Sequence, residues 1–158
     1  APQAAAPPQR RPSARGSAPA GTGGMPGAVE LHQHAVSCWD ALLWFLTAGH
    51  AAPDRRAPSP RVMEVVSSLG LREEGQLTCA GFRFVLDERQ RQLWALALAF
   101  LERARAAGDH LGPLRLLLAL GEAKVGQCVD FGEQTPRERL LVELLTDLGV
   151  LCGGGGAQ

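Results

Sequence analysis

Residues 77–108, LTCAGFRFVLDERQRQLWALALAFLERARAAG, contain the longest helical pattern in the chain. Leu93, Leu96, Ala97, Phe100, Leu101 and Ala104 recur at steps of three and four, which puts them on one helix face, with Trp94 beside them. The opposite face carries Arg91, Glu102 and Arg105, with Leu98 its apolar exception. Asp87 is placed to cap this helix and Gln90, three residues on, to return a bond to the cap. Gly108 follows the last turn, where a left-handed residue closes off the end carbonyls. The residues ahead of the helix, Gly81-Phe82-Arg83-Phe84 among them, read as a short, strand-like aromatic segment. The long helix is thus the spine on which the other elements are organised.

The 158 residues, 46% of them hydrophobic, suffice for one medium domain or two small ones. The chain begins at Ala1 rather than Met, which predicts a fragment or a processed product. Basic and acidic residues balance at 16 each, and three of the basic ones, Arg10, Arg11 and Arg15, lie in the leader, where there is no acid. The remainder is therefore slightly acidic, which argues against a surface built throughout to meet phosphate. The four cysteines, Cys38, Cys79, Cys128 and Cys152, show no C-x-x-C step, so reduced thiols are expected rather than a zinc site or a disulfide framework. The longest apolar run, Leu93 to Leu101, lies within the amphipathic spine and falls far short of the roughly twenty residues that span a bilayer. No membrane partner is expected.

Residues 1–27 are Ala-, Pro- and Gly-rich with almost nothing to bury, and predict a disordered leader. Ser37-x-x-Asp40 reads as the capping box of a first helix with Trp39, Leu42, Leu43 and Leu46 on one face, ending near Gly49. Trp44 lies off that face and is either a second internal contact or an exposed partner-binding anchor. Histidines His32, His34 and His50 flank this helix without completing a ligand set. Ser59-Pro60 starts a second helix with Val62, Val65, Val66 and Leu69 inward, closing at Gly70. Leu71–Thr78 reads as two short strands about a Glu74-Gly75 turn, an acidic wing. Beyond the spine, residues 111–121 form a helix apolar on nearly all sides, expected to be buried between neighbours. Residues 122–134 read as a loop with a short strand. Thr135-Pro136-Arg137-Glu138 then starts a last helix with Leu141, Leu144, Leu145 and Leu148 inward, ended by Gly149. Val150-Leu151 reads as the start of a second wing, cut short by a flexible Gly-rich tail over 152–158.

No catalytic constellation is present: there is no phosphate-binding G-x-x-x-x-G-K-[ST] loop, no H-E-x-x-H, no G-x-S-x-G and no Tyr. The expected fold is mainly α. It comprises two small winged-helix-like units, residues 28–86 and 87–151, joined by the long helix, with the second unit truncated. The helix that could enter a DNA groove offers Arg61, Glu64, Ser67 and Ser68, a net-neutral face giving at most weak, non-specific duplex binding. An autonomous winged-helix DNA-binding regulator would need a basic recognition helix and wing, and this chain has neither.

The run Thr78, Gly81, Phe82, Phe84, Leu86, Gln92, Leu93, Trp94, then Leu101 and Gly108, resembles the middle of the non-catalytic subunit of general transcription factor IIH that anchors its XPB-type helicase. The spacing between Gly81-Phe82-x-Phe84 and Gln92-Leu93-Trp94 is its most specific part. The similarity reaches back to Trp39 and forward to Leu148-Gly149-Val150, covering most of residues 35–151. It departs after Trp94, where the family pattern has aromatics and this chain has Ala95 and Leu96. The resemblance implies a nuclear scaffold without active site, cofactor or small-molecule substrate. Such a subunit holds the helicase among the other core subunits and stimulates its ATPase in transcription initiation and nucleotide excision repair. Within it Gly81, Phe82, Phe84, Gln92, Leu93 and Trp94 are the motif and core residues. The parts expected to grip the helicase lie toward the family's C terminus, beyond this chain.

Overall fold

The computed structural model describes residues 26–153; most of the leader and residues 154–158 of the Gly-rich tail lie outside them. Its elements are α1 (Ala28–Ala48), α2 (Pro60–Ser68), β1 (Arg72–Glu73), β2 (Gln76–Leu77), α3 (Cys79–Leu86), α4 (Arg89–Ala106), α5 (Leu111–Glu122) and α6 (Pro136–Asp147). The fold is mainly helical, as expected, and no helix among the described residues is long and apolar enough to cross a membrane.

Three local signals act as the sequence implies. Ser59 Oγ accepts from the Val62 N–H at 3.3 Å with Pro60 in the first turn of α2. At α6, Thr135 Oγ1 accepts from the Glu138 N–H at 3.2 Å while Glu138 Oε2 accepts from the Thr135 N–H at 2.8 Å, a reciprocal capping box. The hairpin pairs Arg72 with Leu77 and Glu73 with Gln76, turning at Glu74 and Gly75, both at positive φ (48° and 80°).

Five expectations are corrected. Helix α1 does not begin at Ser37 but at Ala28, after Gly27, whose N–H donates to Glu30 Oε2 at 2.9 Å. Nothing between Gly27 and Gly49 breaks a helix, so the pattern runs back through His32 and His34 and leaves Ser37 exposed inside it. The aromatic segment Gly81–Phe84 is helical, not strand-like. Thr78 caps α3 by accepting from the Gly81 N–H at 3.0 Å, and that start signal together with burial of Phe84 outweighs the weak strand preference of aromatics. Asp87 does not cap the spine: it ends α3, its N–H donating to the Phe84 carbonyl, and the N-cap position of α4 falls to Glu88, which makes no side-chain cap bond. Asp87 instead pairs with Arg91 one turn on, at 3.5 Å. Helix α5 is not buried all round; Pro113 and Leu116 are inside, whereas Leu111 and Leu118 are 71% and 65% exposed. Neither 122–134 nor Val150-Leu151 contains a strand in the described residues.

One core cluster draws on every helix: Trp39, Leu42 and Leu46 from α1; Val62, Val65 and Val66 from α2; Phe84 from α3; Leu96 and Ala99 from α4; Leu116 from α5; and Leu141, Leu144 and Leu145 from α6, with Leu148 at its C-cap. The stripe on α4 points inward as its spacing implies, with Leu96 fully buried and Phe100 and Leu93 packed against the cluster. At about 1.5–3 kcal/mol per buried Leu-sized side chain, these contacts dominate the stability of the fold.

Candidate functional site

The motif residues converge where α1, α3, α4 and the hairpin meet. Gln92, on the first turn of α4, is 2% exposed and sits where a polar side chain is costly unless satisfied. Its Oε1 accepts from the Trp39 indole N–H at 2.8 Å, and its Nε2 donates to the Phe84 carbonyl at 2.6 Å and the Val85 carbonyl at 3.3 Å. The amide orientation is forced, because the indole can only donate and the carbonyls can only accept. One side chain thus ties α1 to α4 and supplies donors to two carbonyls at the C-terminal end of the short helix α3. The Gln92 position belongs to the motif, but nothing in the sequence pairs it with Trp39, 53 residues earlier.

Gly81 permits the neighbouring close approach. A Cβ there would overlap the Leu71 carbonyl oxygen and lie 2.6 Å from Leu77 Cδ1, so α3 could not sit against the hairpin with any other residue. Thr78 reinforces the junction, its hydroxyl donating to the Gly70 carbonyl at 2.7 Å. Arg72 binds the hairpin to the end of α1, donating to the Phe45 and Leu46 carbonyls at 2.8 and 2.7 Å and to the Gly75 carbonyl.

The motif therefore divides by direction. Gly81, Phe84 and Gln92 are buried and Leu93 is half-buried against the core, whereas Phe82 and Trp94 are 58% and 49% exposed. Leu98, one turn beyond Trp94, is exposed as well. Trp44 is 45% exposed and meets His50 edge-on, with ring centroids 6.3 Å apart. The exposed face of α5, Leu111, Leu114 and Leu118, escapes sequence reasoning, since a helix apolar on all sides gives no periodicity from which to choose its outer face.

The outer face of α2 is electrostatically closed. Arg61 pairs with Glu143 of α6, and Arg103 of α4 donates to the Glu64 carboxylate and to its carbonyl, each at 2.9 Å. A shallow groove lined by Pro60, Met63, Ser67 and Ser68 runs beside that pair. Both arginines nearest this helix are thus engaged by carboxylates of the chain itself, leaving little positive charge for a phosphate backbone.

The profile of the family described as transcription factor Tfb2 matches residues 14–154. Among curated proteins, the chain is 29% identical over 126 residues to the general transcription and DNA repair factor IIH subunit TFB2 of Yarrowia lipolytica, covering 77% of this chain and 26% of that protein. It is 25% identical over 128 residues to the subunit of the same description from Saccharomyces cerevisiae, covering 77% and 24%. It is 24% identical over 135 residues to general transcription factor IIH subunit 4 of Dictyostelium discoideum, covering 80% and 27%. The chain spans about a quarter of the length of these relatives.

Proposed function

The chain belongs to the Tfb2 family, and from that premise we propose that it is part of a structural core subunit of general transcription factor IIH, anchoring an XPB-type helicase and stimulating its ATPase. On this reading the protein is non-catalytic and works in the nucleus, in RNA polymerase II initiation and nucleotide excision repair. Its partners are the helicase and the other core subunits, with at most weak, non-specific contact to duplex DNA. We read residues 28–86 and 87–151 as two winged-helix-like units, in which the wing serves to pin α3 and α1 rather than to grip a groove.

One observation carries the proposal: Trp44, Phe82 and Trp94 stay outside a core that their own helices and the others close without them. Large aromatics left at the surface supply the apolar anchors typical of protein interfaces. The DNA-binding alternative lacks such support, since Arg61 of α2 and Arg103 of α4 are spent on Glu143 and Glu64. The test is to tag the full-length protein, wash at high salt with nuclease present, and identify what remains bound. Retention of an XPB-type helicase and core subunits is expected, because screening does not weaken buried apolar contacts. Truncating Trp94 or Phe82 to Ala should weaken retention by about tenfold each if they are anchors. Recovery of nucleic acid or unrelated regulators without the helicase would refute the scaffold role.

A further inference from the structure

The end of α6 lies directly on α1. At Gly149 (φ 74°) an added Cβ would stand 2.7 Å from the Ala35 Cα and 3.1 Å from the Cys38 Cβ, so backbone meets backbone with no side chain between. The chain then folds back, the Val150 and Leu151 N–H groups both donating to the Leu145 carbonyl at 2.8 and 3.2 Å, and Leu151 packs on the core. Cys152 follows at once. Three residues cannot carry it more than about 11 Å along the chain from Gly149, and the turn at Leu145 shortens that reach. On α1, Cys38 is half-buried with the His34 ring one turn earlier, its Sγ 3.7 Å from Nε2. Cys152 is exposed. Burial first, then the charges of Asp147 and Cys152, push the Cys38 thiol above its ordinary range.

We propose that Cys38 and Cys152 are a redox pair that closes into a disulfide joining α1 to the segment after α6. With a low-molecular-weight disulfide such as oxidised glutathione as the oxidant, exposed Cys152 is the attacking thiolate. It bonds to one glutathione sulfur and expels the other as a thiolate, which takes a proton from water. Cys38 then attacks the Cys152 sulfur of the mixed disulfide, its proton passing to the His34 ring and on to solvent, and the second glutathione leaves. Two protein thiols are oxidised and one glutathione disulfide is reduced to two thiols. The division of labour follows from position: the exposed thiol meets the oxidant, and the half-buried one resolves the adduct.

The experiment incubates the whole chain in glutathione buffers of increasing oxidising poise, blocks remaining thiols by alkylation, and maps peptides by mass spectrometry without reduction. The expected result is a Cys38–Cys152 linked peptide, while exposed Cys79 remains alkylated or carries only glutathione. Oxidation should also raise the denaturant midpoint, since a cross-link between distant residues restricts the unfolded chain. Cys38→Ser should trap Cys152 as a stable glutathione adduct, and Cys152→Ser should leave Cys38 alkylated under the same buffers. Both variants keep the fold testable through the midpoint of the reduced protein. Persistence of free Cys38 and Cys152 at a poise that modifies Cys79, or linkage of either to another cysteine, would overturn the proposal. So would one tightly held zinc per chain that shields both thiols with His34.

Discussion

Gln92 joins three helices through one amide, and removing it takes a hydrogen bond from each of three groups. Gln92→Leu leaves the Trp39 N–H buried without its partner and the Phe84 carbonyl with only the Asp87 N–H, an expected cost of about 1–3 kcal/mol. Urea denaturation measures it, and the double variant with Trp39→Phe should cost less than the sum of the singles because the indole donor is then gone. A change under 0.5 kcal/mol, roughly the scale of an inert surface site, would show that water reaches the knot. At the other side of the core, Glu138 is held below its ordinary value of 4.5, first by the Thr135 backbone N–H, against some desolvation, and then by the Thr135 hydroxyl and Arg115. A carboxyl whose folded value is depressed stabilises fully above its unfolded value and loses that contribution as pH falls through the folded one. Stability should therefore drop below about pH 4.5 in the native chain, and Glu138→Gln should flatten that part of the profile measured by thermal unfolding. Capping signals such as Thr135 and Glu138 were legible from sequence because both partners lie within one turn. The Gln92–Trp39 bond was not, because nothing local distinguishes a buried amide from an exposed one.

Among the elements, α4 and α5 are opposite cases. The α4 stripe recurs at steps of three and four with Arg91, Glu102 and Arg105 on the opposite face, so its buried side follows from periodicity, and Leu96 is inside. Helix α5 has Leu at 111, 114, 116, 117, 118 and 120, and only packing on α6 selects Leu116 for the interior. Leu116→Ala should cost about 2–5 kcal/mol, and Leu118→Gln less than about 0.5 kcal/mol in the isolated chain. Thermal or urea unfolding of the two variants separates them, and equal losses would place both leucines in the core. The division of the spine at Asp87–Glu88 has the same origin. Thr78 starts a helix that the aromatic run can fill, and once α3 exists its end must be closed where the sequence places the next start.

For the molecule as a whole, neutral charge and the self-paired Arg61 and Arg103 around α2 predict poor nucleic-acid binding. Fluorescence anisotropy with unrelated duplexes should give weak binding without sequence preference, and a shallow dependence of log K on log salt, because few counterions are released. A sequence-selective complex would contradict this. From sequence alone came the mainly helical class, the starts of α2 and α6, the hairpin turn at Glu74-Gly75, the inward stripes, and the family through Gly81-Phe82-x-Phe84 and Gln92-Leu93-Trp94. All of these are carried by spacing within a few residues, which backbone geometry alone converts into direction. Tertiary structure alone decided that α5 faces water along Leu111 and Leu118 and that Gln92 bonds Trp39. Each of those depends on which surface of one element is covered by another, and covering is a property of residues far apart in the chain that the local code does not contain.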